Sequence, residues 1–175
     1  MKDLSVDNIL IKGLVSGDES AFELLLTRYQ KSIHQFAWRF LGDAEAAKDV
    51  AQETFLRFYQ HLQKNPEIEY LSAFLFKIAR NCCIDIQRKN RMRALKPGEL
   101  PVENRTAYQE LDEKERKIKI DTAVSHLPDN QRMVILLRHT ESLSYEEIAE
   151  IMSVSKSSVE SLLFRARTKL RRILT

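Results

Sequence analysis

Apolar residues recur at steps of three and four along most of the chain. Phe22, Leu25, Leu26, Tyr29, Ile33, Phe36, Ala37 and Phe40 make one continuous stripe. That spacing predicts a helix capped by Asp18 and ended by Leu41-Gly42. Residues 5–15 read as a shorter helix before it, ending at Gly17. Asp43 caps a third, running to about Leu62, and Pro66 breaks the chain. A long helix then spans about 69–93, with Leu71, Leu75, Ile78, Ala79, Cys82 and Ile86 inward. Periodicity of this kind, with only 4 Gly and 4 Pro in 175 residues, argues against a strand-and-turn architecture.

The stripe fails between 94 and 107, where two of the prolines and one glycine fall. This stretch reads as a flexible linker, with an acidic continuation to about 116. The expected fold is therefore all-α: two small helical domains, 1–93 and 108–175, joined at 94–107. In the second, Leu127-Pro128 marks a helix start, and Met133, Val134, Leu136 and Leu137 give 130–139 one apolar face. Ser144-Tyr145-Glu146-Glu147 is a capping box. A short one-sided helix follows, through Ile148, Ala149, Ile151 and Met152, then the turn Ser153-Val154-Ser155 and a long basic helix at about 156–172. Two helices across so short a turn fit a helix-turn-helix, although Ser153 stands where a turn glycine is common.

Charge sharpens this picture. The chain carries a formal net charge of +3, but segments 77–93 and 153–175 each hold +5, leaving −7 elsewhere. An acidic body with two basic stretches fits a polyanion held at two places; two solvated helix faces give the same totals. No apolar run is long enough to span a membrane, and the N-terminus lacks a secretory core, so a cytoplasmic protein is expected. Cys82 and Cys83 are adjacent and match no disulfide framework or zinc spacing; His34, His61, His126 and His139 are scattered. Neither a metal nor a cofactor is expected. No phosphate-binding loop, nucleophile elbow or acid–histidine set appears, so an enzyme is not expected.

Three helix faces carry candidate chemistry. On the last helix Ser157, Glu160, Ser161, Phe164, Thr168 and Arg171 lie opposite the apolar side, flanked by Arg165 and Arg172. Phe164 there is either a rim aromatic covering a neighbour or an apolar contact for a base edge, beside Arg165 as a phosphate or guanine ligand. On helix 69–93, Lys77, Arg80, Arg88 and Arg91 form a basic stripe. Phe74 and Asn81, seven residues apart, lie beside it. An aromatic, an amide and cations together suit single-stranded bases; spacing alone favours the plainer reading of a boundary Phe and a surface Asn. On helix 43–62, Asp49, Gln52 and Glu53 cluster at i, i+3 and i+4. They fit either a basic protein partner or an acidic first turn complementing the helix dipole.

Taken in order, these segments resemble the extracytoplasmic-function (ECF) group of bacterial sigma factors. Gly17-Asp18-Glu19-Ser20-Ala21-Phe22 is similar to the group's opening. The segment from Asp43 to Phe55 resembles the part that grips the polymerase β′ clamp, with Asp49, Gln52 and Glu53 as implied contacts. Phe74-Leu75-Phe76-Lys77-Ile78-Ala79-Arg80-Asn81 resembles the part that melts and reads the minus-ten element. The resemblance adds Phe76 to Phe74, Lys77, Arg80, Asn81, Arg88 and Arg91 as implied minus-ten residues. Leu127-Pro128, Ser144 to Ala149 and Phe164-Arg165-Ala166-Arg167 resemble the domain that reads the minus-thirty-five element. Its implied contacts are Lys156, Ser157, Ser158, Glu160, Ser161, Phe164, Arg165 and Arg167.

The resemblance implies a factor for promoter-specific transcription initiation. Its implied partners are core RNA polymerase (β′ clamp and β flap), promoter DNA and an anti-sigma factor, with no membrane insertion. Phe74 and Phe76 stand where the group often has Trp and Tyr, and Glu160 where Lys or Arg is common. The competing reading is a free-standing helix-turn-helix regulator, which needs neither the acidic patch nor the Phe74–Asn81 pair. An RNA-processing enzyme with a helical module is a third, lacking a catalytic set.

Overall fold

A computed structural model describes residues 4–94, 113–140 and 143–174. The expected linker at 94–107 and the start of the second domain at 108 lie outside them, apart from the helical Ala94. The described residues form α1 (Leu4–Val15), α2 (Glu19–Leu41), α3 (Ala44–Lys64), α4 (Leu71–Ala94), α5 (Glu113–Ser125), α6 (Asp129–Thr140), α7 (Tyr145–Met152) and α8 (Lys156–Leu174).

Local chemistry sets most boundaries. Asp18 accepts from the Ser20 amide and Asp43 from those of Glu45 and Ala46, capping α2 and α3. Gly17 takes φ 81° and Gly42 φ 73°, the left-handed geometry that ends a helix without a Cβ penalty. At Gly13 the reason is space: an added Cβ would lie 2.8 Å from Ala21 Cβ, where α1 crosses α2. A buried polar tie strengthens that crossing. The Tyr29 hydroxyl donates to Asp7 Oδ2 at 2.7 Å, and Arg28 Nε lies 3.2 Å from Asp7 Oδ1.

α2, α3 and α4 pack on one another around Leu25, Tyr29, Ile33, Phe36, Phe58 and Leu75, with α1 across α2. A second group, α5 to α8, buries Val134, Leu137, Ile148, Ile151, Val159 and Leu163. The two groups also touch, α4 against α7 and α2 against α6. This covers α4 on a second flank. Beside the expected Leu71, Leu75, Ala79 and Cys82, the helix also buries Ser72, Ala73, Phe76 and Cys83.

The short turn between α7 and α8 is built as expected. Ser144 N donates to Glu147 Oε2 at 2.7 Å and Glu147 N to Ser144 Oγ at 3.2 Å, completing the capping box. Ser153 adopts φ 55°, its amide bonded to Glu150 O and the Val154 amide to Ala149 O. A side chain there costs roughly 1–2 kcal/mol of steric strain. Ser155 then caps α8, accepting from Ser158 N at 3.2 Å. Because Ser153 is exposed, Ser153→Gly should raise unfolding free energy by about 0.5–1 kcal/mol after glycine's entropy cost. Urea denaturation with an unchanged or lower midpoint would contradict that account of the turn.

Candidate nucleic-acid interface

α8 turns Val159, Leu163 and Ala166 into the core and leaves its outer face open. Phe164 is 72% exposed, and with Glu160, Ser161 and Arg165 it lines a shallow surface concavity. Arg165 Nε donates back to Ser161 O at 3.3 Å, so its guanidinium lies along the face. Arg167 is exposed on the same helix. Ser157 and Ser158 hydroxyls sit 3.0 and 2.8 Å from Ser155 Oγ at the helix start. Lys156 Nζ meets Glu146 Oε1 of α7 at 2.5 Å. That hydrogen bond pushes the Lys156 ammonium above its ordinary range and holds the Glu146 carboxyl below its own. Ile173 is 44% exposed near the end of α8.

The α4 stripe is less open. Asn81 is exposed, and Arg80 Nη1 donates to its Oδ1 at 3.0 Å. Arg80 itself is partly buried, and desolvation pushes its pKa down. Lys77 is half-buried. Arg88 is largely exposed, with Asp85 at 3.5 Å. Arg91 pairs with Asp129 at the start of α6. Phe74 is half-buried, its ring 4.6 Å from His61 and 6.2 Å from Phe58.

Phe76 corrects the expectation of a second stacking aromatic. It is fully buried, edge-on to Phe36 at 5.5 Å. The two phenylalanines are two residues apart, about 200° around a helix, so one at the boundary puts the other inside.

On α3, Asp49, Gln52 and Glu53 share one concavity with Leu56, Arg57 and Lys89. Glu53 is engaged by Arg57 Nε at 2.6 Å, leaving Asp49 the more open carboxylate. Leu56 is 53% and Tyr59 44% exposed; with Phe22 and Leu26 they line an apolar groove beside the acids. Sequence reading missed this apolar neighbour. The signal was present, since Leu56 lies three and four residues after Glu53 and Gln52 but off the buried stripe. Cys82 and Cys83 are buried free thiols, each pushed up by desolvation. Among the described residues no group of three or more His, Cys, Asp or Glu could hold a metal, and no helix is long and apolar enough to cross a membrane.

Models of known families match this geometry in two places: sigma-70 region 2 over residues 25–93 and sigma-70 region 4 over 117–170. The ECF RNA polymerase sigma factor SigW of Bacillus subtilis is 31% identical over 176 residues, covering 94% of each chain. The chain belongs to the ECF group of the sigma-70 family. The ECF RNA polymerase sigma-E factor of Escherichia coli is also 31% identical, over 95% of this chain and 93% of its own. The solved structure of CnrH, bound to the cytosolic domain of CnrY, superposes at a TM-score of 0.75 over 97% of both chains, with 26% identity. Sigma factor RpoE of Bartonella quintana shares the fold, at a TM-score of 0.74 and 24% identity over 87% of this chain and 96% of its own.

Within this sigma factor the two aromatics should separate experimentally. Phe76→Ala empties the Phe36 contact and should cost about 3–5 kcal/mol of stability. Phe164→Ala removes an exposed ring and should change it by less than about 0.5 kcal/mol. Equal losses in chemical denaturation would contradict these placements.

Proposed function

We propose that this sigma factor binds core RNA polymerase through α3 and directs promoter-specific initiation with α4 and α8. The observation that carries the assignment is the division of labour among outward faces. An acidic, apolar-edged face lies on α3, a basic stripe with an amide on α4, and a polar, arginine-bearing face around Phe164 on α8. A free-standing regulator has no need of the first.

Each face suits one ligand. Asp49, Gln52 and Glu53, with Leu56 and Tyr59, complement a basic amphipathic helix, the chemistry expected of the β′ clamp. Lys77, Arg80, Arg88 and Arg91 neutralise the backbone of the opened minus-ten strand, while Asn81 and Phe74 meet its bases. In the duplex minus-thirty-five element, Arg165, Arg167 and Lys156 face phosphate or guanine, Ser157, Ser158 and Ser161 donate, and Phe164 covers a sugar or thymine methyl. Glu160 accepts from a cytosine amine and repels phosphate, lowering indiscriminate affinity. We assign the minus-ten and polymerase work to residues 1–93 and the minus-thirty-five work to 108–175, with a contact to the β flap.

Strand opening needs no catalytic group. The melted state is favoured because α4 makes contacts there that duplex cannot offer. The chain therefore acts in the cytoplasm as a non-enzymatic initiation factor. An anti-sigma partner, such as the NepR bound to Bartonella quintana RpoE, is the expected regulator.

Reconstitution with core polymerase tests these roles. Asp49→Lys with Glu53→Lys should weaken core binding at least tenfold; unchanged affinity would leave the patch as surface only. Asn81→Ala should reduce open-complex formation more than binding to closed promoter duplex, and an equal loss in both assays would remove it from base reading. Arg165→Ala should erase protection of the upstream element, by about 1–3 kcal/mol if it grips a guanine; an intact footprint there would sink that assignment.

A further inference from the structure

α8 opens on a cation. Lys156 is its first residue, where the helix dipole disfavours positive charge and favours an anion. Ser155 caps the helix by accepting from Ser158 N at 3.2 Å, and the Ser157 and Ser158 hydroxyls gather at its Oγ. The ammonium itself is engaged across the turn. Its Nζ meets Glu146 Oε1, in the first turn of α7, at 2.5 Å. Glu160, one turn further along α8, adds to the negative field on it.

The capping box of α7 uses Ser144 and Glu147, so it closes without Glu146. The side chains of Lys156 and Glu146 are 54% and 64% exposed. A pair so open to water adds little to stability. What it changes is the charge shown to a neighbouring phosphate. A phosphate oxygen bonded to the same ammonium would lie within roughly 6 Å of the Glu146 carboxylate, inside the screening length of about 10 Å at 0.1 M salt. That phosphate is repelled, or it must displace the carboxylate and leave it unpaired. Arg165 differs, since its Nε donates to a neutral carbonyl, Ser161 O.

We propose that Glu146 is a specificity-determining residue of the α8 face, which withholds Lys156 from duplex phosphate unless base contacts already hold α8 in register. The inference rests on the reading of α8 as the duplex-reading helix. On a duplex of arbitrary sequence the Lys156–Glu146 pair stays closed, and α8 has one phosphate contact fewer. On a matched element, contacts from Arg165 and Phe164 offset the exchange of Glu146 for phosphate. The carboxylate on α7 thus lowers the sequence-independent affinity that phosphate contacts dominate, and leaves the base readers untouched.

The test uses the full chain and a labelled duplex of mixed sequence, about 30 base pairs long, with fluorescence anisotropy read between about 20 and 200 mM salt. Glu146→Gln should tighten binding about three- to tenfold at low salt and steepen the slope of log affinity against log salt by about 0.9, the value of one added phosphate contact. Glu150→Gln, which removes an exposed acid of the same helix, sets the general effect of lost negative charge. In a Lys156→Gln background, Glu146→Gln should give no gain beyond that of Glu150→Gln. A pair that merely braced the turn would act with the opposite sign, since its loss would loosen α8 and weaken binding. Weaker or unchanged binding, or a gain that survives Lys156→Gln, overturns the proposal. In the reconstituted holoenzyme, affinity for a promoter fragment that it protects should rise less than affinity for the mixed duplex; equal gains overturn the part in specificity. Arg165→Ala with Arg167→Ala tells two failures apart. If that double variant loses duplex affinity while Glu146→Gln gains none, the α8 reading stands and the role of Glu146 falls. If it binds as the parent chain does, or if the parent chain binds no duplex, the α8 reading fails and the role of Glu146 with it.

Discussion

α4 is gripped on two flanks, and the other surfaces take their positions from that constraint. One flank closes the first helical group against α2 and α3; the other lies against α7. Along Leu71–Gln87 only Asn81 is exposed, and from Arg88 to Arg93 the helix emerges on all sides. In the gripped part of the helix the stripe is made of long side chains, Lys77 and Arg80, reaching past the boundary. Arg80 shows the limit, since its guanidinium sits half inside and is depressed by desolvation. The polar strip is thus fixed against a rigid scaffold, as a site that orders unpaired bases requires.

The legible parts of the fold are those written in local chemistry. Asp18, Asp43, Ser144 and Ser155 cap the helices that their spacing announces, and Gly17 and Gly42 end helices where only a left-handed residue closes the turn. The α2 stripe was readable because its buried members, Leu25, Tyr29, Ile33, Phe36, Ala37 and Phe40, keep to steps of three and four. α4 misleads for the opposite reason: with partners on two flanks its apolar residues spread around the helix, and the period no longer tells inside from outside. Phe74 and Phe76 were indistinguishable in type, and tertiary packing separated them. For Arg132, which donates from α6 to Phe40 O of α2, and for Asp129 no local signal existed. Their partners are up to 92 residues away, and a surface-patterned helix start looks the same with or without them.

The charge partition gains meaning from the same geometry. The C-terminal excess is mounted on a helix with an open outer face, where Phe164, Arg165 and Arg167 are exposed and Lys156 pairs with Glu146 of α7. The α4 excess is partly neutralised within the chain, by Asp85 on Arg88 and Asp129 on Arg91. Duplex DNA, with its dense regular phosphates, suits the open face.

The chemistry of the contact between the two helical groups decides whether it can be reversible. An apolar contact of similar extent would hold the halves against any modest ligand, because separating it exposes hydrocarbon to water. Arg132 instead exchanges Phe40 O for water while keeping Ser125 O and Leu127 O, and Asp129 and Arg91 each return to solvent as ordinary surface charges. Exposed or half-exposed pairs of this kind contribute at most about 1 kcal/mol each. The α4–α7 packing supplies the rest of the contact, and the cost of parting it is met only when both halves gain new surfaces together.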